Sequence, residues 1–426
     1  MVNLSLGVAT VDITPDPGLH LAGFAARNLP STGIHDRLSA RAVVVNDTAI
    51  VVADVIGLHE DMAQRIRERC TLPADNVIVC ATHTHGAPVS MLNRLGVDAN
   101  PDFLQKLEDG CVLAIDRAAA SARPGKLSFG LGLDPDVARN RRHAAGVVDR
   151  ALPVLRLRDD AGALVAVIVS YACHPTVLGA DNLEITADFP HFVRKRIEAD
   201  NPGALAIYLN GCTGDANIGH SAQASWSTAA SVNRSFENAR RLGDRIAAAA
   251  MAAPEFPAGT TVYAQNRRVE LDLERREGDL ASVKSAWQKE LDAADPTRKI
   301  LLEHWIAWAG RFDKIPPAVG TVALPVLIGV GSPSSRSQAR FLRKPRCTCA
   351  QAALGRPALC SHMPRERLAI FHHDPHTRVA ATKSRKRTVS LACQDHLPRV
   401  PQSVWQTARY PSSPGLIERQ RPNFRS

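Results

Sequence analysis

At 426 residues the chain is long enough for one large α/β domain or two ordinary ones, and it holds no apolar run long enough to span a bilayer. The formal net charge of +10 suggests nucleic acid, but from Gly331 onward there are 18 Lys and Arg against 4 Asp and Glu, leaving 34 basic and 38 acidic residues before that point. The part that reads as globular is mildly acidic and shows no nucleic-acid-binding fold or aromatic-interleaved basic patch, so a nucleic-acid partner is not expected.

The first residues, Met1 to Ser5, lack the basic segment and apolar core of a signal peptide. Cys70, Cys80, Cys111, Cys173 and Cys212 are scattered through apolar segments, which suits a reducing compartment better than a disulfide framework. Together these lead to the expectation of a cytoplasmic protein. A strand is expected from Gly7 to Ile13, then a hairpin of 40–45 and 49–53 around Asn46-Asp47-Thr48. Helices follow at 60–70 and 102–121, the second with an apolar face of Phe103, Leu104, Leu107, Val112, Leu113 and Ile115. Between them, Val77 to Ala81 is a short β-branched run, the mark of a strand buried on both faces. Further strands are expected at 126–132, 152–158, 164–173, 204–209 and 260–273, and helices at 188–200, 237–251, 280–291 and 298–312. The fold class is α/β, with mixed sheets flanked by helices. No solenoid period is present.

Three of these buried strands end in chemistry. The 77–81 run breaks into Thr82-His83-Thr84-His85, the 164–173 strand stops at His174-Pro175, and the 204–209 strand runs into Asn210-Gly211-Cys212-Thr213-Gly214-Asp215-Ala216-Asn217. If the chain past Ala81 stays extended, His83 and His85 point to the same side. In open α/β sheets ligands bind outside the carboxyl ends of strands, so the three ends are expected to converge. Zinc takes neutral imidazole nitrogens, and a hydrolytic site leaves one position for water. On this reading His83 and His174 are candidate ligands and His85 a neighbouring acid or base. The alternative for each is a strand-end histidine hydrogen-bonded to backbone.

Several segments carry a family resemblance: Ile13-Thr14-Pro15, Gly33-Ile34-His35-Asp36, Ala81-Thr82-His83-Thr84-His85, Asn140-Arg141-Arg142, Tyr171-Ala172-Cys173-His174-Pro175-Thr176 and Gly214-Asp215. In order and spacing they resemble the N-terminal catalytic domain of the neutral/alkaline ceramidases, most like the short bacterial members of unassigned substrate. The resemblance covers about Gly7 to Gly329. It implies a zinc-dependent amidase acting on a small-molecule or lipid N-acyl substrate, with Zn2+ on His83 and His174. It also implies that His85 and Arg141 contact the amide and the developing oxyanion, with Asp215 and Asn217 in the same site. Ceramidases proper carry a Gly-Asp-Val-Ser-Pro-Asn segment, and Asn217 stands where its Ser belongs, which puts ceramide itself in doubt as the substrate.

The family completes its zinc site with a Glu from a Pro-Gly-Glu motif and a Tyr, both from a later segment. Neither motif occurs after Gly331, where the chain turns rich in Arg, Ser, Pro and Ala without hydrophobic period. Taking the third base of each codon with the first two of the next, Ser332 to Leu342 can read LAIVALPGEVF, provided Arg340 is encoded by AGA or AGG. In the same frame His362 to His372 can read YAxxxxGYLP, similar to the Tyr-bearing motif. Residues 1–330 are therefore expected to form an incomplete catalytic domain, and 331–426 a basic, unstructured, frameshifted tail. A non-catalytic remnant is the alternative function.

Overall fold

The computed structural model of the protein describes residues 4–330, apart from 92–97, 223, 225–226, 230, 265–266, 271–278, 313–319 and 324–325. The expectations for the tail from Gly331 thus lie outside the described residues. The chain begins with β1 (Leu4–Asp12), β2 (Gly33–Ile34), β3 (Ser39–Val45) and β4 (Thr48–Ala53). β3 and β4 form the expected hairpin, paired antiparallel from Ala40↔Ala53 to Val45↔Thr48. Asn46 supplies the positive φ (55°) that so tight a connection needs. Helix α1 (Glu60–Arg69) carries Glu60 and Asp61 in its first turn and Arg67 and Arg69 in its last, the charge order its dipole favours. It leads to β5 (Val77–Ala81) and α2 (Pro101–Ala120), where the Asn100 side chain caps Phe103 N–H and proline takes the first turn.

The second half repeats the pattern with β6 (Arg123–Gly132), β7 (Arg139–Asn140), β8 (Leu152–Asp159), β9 (Leu164–Tyr171), β10 (Glu184–Ile185), α3 (Phe189–Asp200), β11 (Leu205–Asn210), β12 (Ala216–Asn217) and α4 (Phe236–Met251). Then come β13 (Phe256–Pro257), β14 (Thr261–Ala264), β15 (Arg267–Glu270), α5 (Leu280–Leu291), α6 (Pro296–Ala309), β16 (Gly320–Ala323) and β17 (Val326–Val330). The single strand expected over 260–273 is two, each with its own antiparallel partner: β14 with β17 and β15 with β16. β16 and β17 do not announce themselves in sequence, because Pro325 interrupts their apolar run. α6 starts two residues before the expected 298, since Asp295 caps it and Pro296 opens it.

The main sheet runs β11-β9-β8-β6-β1-β3-β4-β5, with β13 added beside β6. Only its two ends are parallel, β4 with β5 and β9 with β11; every pairing between is antiparallel. Strand alternation then sorts the side chains into three cores. Ala49, Val51, Val77 and Val79 face α1 and α2, alongside Ile66, Leu107 and Ile115. Val167, Val169, Ala206 and Tyr208 face α3 and α4. The alternate residues, Ile50, Val52 and Ile78 from one end and Ile168 and Ile207 from the other, share a third core. The sheet therefore doubles back on itself, giving helices, sheet, sheet, helices. Each fully buried Ile or Leu here contributes about 1.5–3 kcal/mol. The consequence for function is that the carboxyl ends of β5, β9 and β11 are brought together.

Candidate active site

β5 ends at Ala81, and the next residues do not stay extended. Thr82 N–H and His83 N–H donate to Ala53 and Val55 carbonyls, and His83 then takes a left-handed backbone with φ 67°. The expected alternation of His83 and His85 is thus the wrong reason for their proximity. A sharp turn, sparsely populated for a residue with a side chain, is what swings both rings to one place. His174 follows β9 by three residues and is held by its own N–H donating to Ala216 O (2.9 Å). All three rings are buried, and a set of their nitrogens lies within 4.8 Å of one another.

The hydrogen bonds distinguish the rings. His83 Nδ1 lies 2.6 Å from Ile56 O and His174 Nδ1 lies 2.8 Å from Thr213 O. A carbonyl only accepts, so Nδ1 is the protonated nitrogen in both, and in a neutral ring Nε2 carries a lone pair. The two Nε2 atoms face each other at 2.8 Å. Burial, with the Arg141 charge adding to it, pulls the His83 pKa down to about 4 despite the Ile56 hydrogen bond. Burial likewise takes His174 well below the ordinary imidazole value, with His83, Arg141 and His85 adding to the effect. Two facing lone pairs on neutral rings repel unless a cation lies between them. Each ring also makes the outer hydrogen bond that metal-ligating histidines make. The residues present therefore fit a metal ion.

His85 differs. Its Nε2 is buried with no hydrogen-bond partner, and its Nδ1 lies against the Gly23 backbone. Burial drives its pKa well below 6.5, helped by the charges of His83, Arg27 and Arg141. Arg141 donates from Nε and Nη2 to Gly214 O (3.1 and 2.7 Å), and its N–H donates to Asp215 O (2.7 Å). The Asn-Arg-Arg and Gly-Asp segments are therefore held together beside the pairing of β7 with β12, Ala216↔Asn140 and Asn217↔Arg139. Asp215 is exposed, and its carboxylate accepts from Asn140 Nδ2 at 3.0 Å. Asn217 is buried, but its amide closes its own turn, donating to His220 O and accepting from Gly219 N–H. The structure thus gathers His83, His85 and His174, sets Arg141 close enough for its charge to be felt by all three, and leaves Asp215 and Asn217 shaping the loop beneath.

Sequence reasoning missed two contributors. The loop 19–32, which packs Gly23, Phe24 and Arg27 against His85, has no periodicity, and only the isolated glycine in an apolar run marks it. In sequence Asp36 stands out only as the end of the Gly33-Ile34-His35-Asp36 motif. Its buried carboxylate accepts from Thr186 Oγ1 and Ala187 N–H and seats the segment before α3.

Among the described residues no helix is long and apolar enough to cross a membrane. The family model "Neutral/alkaline non-lysosomal ceramidase, N-terminal" matches residues 4–205. The neutral ceramidase of Drosophila melanogaster is 29% identical over 231 residues, 47% of this chain and 33% of that protein. The Pseudomonas aeruginosa enzyme is 26% identical over 211 residues, 43% and 32% respectively. The Mycobacterium tuberculosis protein is 25% identical over 283 residues, 56% and 44%. The chain thus spans about a third to under half the length of these relatives. The crystal structure of the Pseudomonas neutral ceramidase superposes with a TM-score of 0.56 at 21% identity, covering 63% of this chain and 48% of that one, a likeness of fold. Residues 4–205 of this chain thus match the N-terminal domain of the neutral/alkaline non-lysosomal ceramidases in sequence, and the chain shares their fold.

Proposed function

We propose that the protein is built on a zinc-dependent amidohydrolase domain of the ceramidase type, acting on the N-acyl bond of a small-molecule or lipid substrate. The observation that carries this reading is the pair of Nε2 lone pairs facing at 2.8 Å, each ring fixed by a carbonyl at Nδ1. His83 and His174 would hold the metal. Zinc bound there supplies Lewis acidity toward a carbonyl and acidifies water to a pKa of about 7. His85, neutral in its buried setting, accepts and returns a proton through its unpartnered Nε2. Arg141, tethered to Gly214 O, offers a fixed positive charge to the oxyanion that forms as the amide is attacked. Asp215, through Asn140, and Asn217, through its turn, keep that arginine in place. An amide is no nucleophile, so Asn217 cannot act as the ceramidase Ser does; an N-acyl substrate other than ceramide is the better fit.

The tail belongs to the same proposal. Residues 331–426 are read in a displaced frame, so the Glu and Tyr that complete the family's zinc site are missing, and the chain as written is impaired. The second reading, a non-catalytic remnant, draws on the same missing ligands.

Titration with Co2+ in place of zinc tests the site. One equivalent should bind with micromolar or weaker affinity, and His174→Ala should abolish that binding while leaving the folded far-UV spectrum. Unchanged binding by His174→Ala would remove the site from these residues.

A further inference from the structure

We infer that Arg27 is a positioning residue for His85, the group given proton transfer above, and that it acts by clamping the loop 22–27 against that imidazole. His83 and His174 have carbonyls within 2.8 Å of Nδ1 that fix their rings; His85 has no hydrogen bond of that geometry, only the Gly23 backbone beside its Nδ1. Its orientation is set instead by a wall. Leu21 bridges Pro88, Ala22 N–H donates to Ala87 O (2.9 Å) and Val89 N–H to His20 O (3.1 Å), so the loop is paired to the chain just past His85. Gly23 has φ +99°, and a Cβ on it would stand 2.2 Å from His85 Nδ1, so only glycine lets the backbone touch the ring. Phe24 closes a second side, its ring centroid 5.0 Å from that of His85 and tilted by 60°.

Arg27 holds this wall in place. It is buried, and its Nη2 donates to both Ala22 O and His85 O while Nη1 donates to Asn182 O (3.1 Å). One guanidinium thereby ties its own loop, the turn that carries His85, and the loop that follows His174. Its Cζ also sits 5.1 Å from the Phe24 centroid, fixing that ring in turn. Lysine keeps the charge but cannot bridge three carbonyls in a planar fork. The clamp therefore depends on arginine geometry and not on charge alone.

The test is the rate at which diethyl pyrocarbonate modifies each histidine of the full, chelator-treated chain, mapped by tandem mass spectrometry, with His83 and His174 as internal references. In Arg27→Lys, His85 should react about tenfold faster than in the parent, as expected from weakening one charge-assisted contact of the closed loop, while His83 and His174 keep their rates. Gly23→Ala, which displaces the ring sterically, should raise the same site selectively. Equal His85 rates in the parent and Arg27→Lys would overturn the inference. So would a parallel rise at all three histidines, which would make Arg27 a general structural residue. The readout needs neither metal nor turnover: selective His85 exposure in a chain that fails to bind Co2+ upholds the clamp and removes only the metal-amidase reading.

Discussion

Changing the frame after Val330 to the one proposed above is expected to give a chain that retains about one zinc per molecule through dialysis and cleaves N-acyl substrates, where the present chain binds zinc weakly. The physical reason is charge. In the proposed site two neutral imidazoles, His83 and His174, would hold a divalent cation with no carboxylate grouped with them among the described residues, and the buried surroundings that keep both rings neutral also disfavour an uncompensated +2 charge. A carboxylate and a phenolate from the segment read in the proposed frame would supply both affinity and tetrahedral geometry. Zinc content after dialysis and hydrolysis of N-acyl substrates are the two readouts. Equal zinc and equal activity in both chains would mean that the sequence after Gly331 already supplies what the frame change adds.

Loss of the Asp54–Arg194 pair is expected to have the largest effect on stability. Asp54, at the end of β4, receives both guanidinium nitrogens of Arg194 on α3 at 2.7 and 2.9 Å, and both side chains are buried. Ser39 adds its N–H and hydroxyl to the same carboxylate at 2.9 and 2.8 Å. Arg194→Met leaves that carboxylate buried without its cation, which costs about 3–5 kcal/mol. That is a large part of an ordinary domain's stability of about 5–15 kcal/mol. Urea unfolding checks it, and a loss below about 1 kcal/mol would show the pair to be dispensable. Burial pushes the Asp54 carboxyl up, but Arg194, Arg41 and the Ser39 N–H together hold it below 3.8. A depressed carboxyl stabilises above its unfolded pKa, so this contribution is present above about pH 4 and is lost as pH falls through the folded value. The pair also bears on the site. Asp54 directly precedes the Val55 and Ile56 carbonyls that seat His83, while α3 is capped by Asp188, whose carboxylate accepts the Val177 and Leu178 N–H groups just past His174.

How far the sequence could be read follows from where local rules govern. The β-branched run 77–81, the hairpin at Asn46 and the capped helices are local features, and they stand within a residue or two of expectation except at the end of α6, which stops at Ala309 and not at 312. The gathering of His83, His85 and His174 was foreseen from strand ends, yet through alternation that does not operate past Ala81. The left-handed turn at His83 is imposed by hydrogen bonds to Val55 and Ile56, residues far off in sequence. Asn217 shows the converse: a motif position suggested chemistry, while its amide is spent closing a turn. Arg27 could not be seen at all, because an isolated arginine in an aperiodic loop gains meaning only once three carbonyls, two of them from distant segments, surround it.

The central claim is that His83 and His174 share one metal ion. The most direct test is anomalous diffraction at the zinc edge from crystals of the chain equilibrated with zinc. A single strong peak is expected within about 2.0–2.1 Å of Nε2 of both residues, with the rings parted from their 2.8 Å contact and both Nδ1 hydrogen bonds kept. A peak elsewhere, or none while the two Nε2 atoms stay in contact, would contradict it.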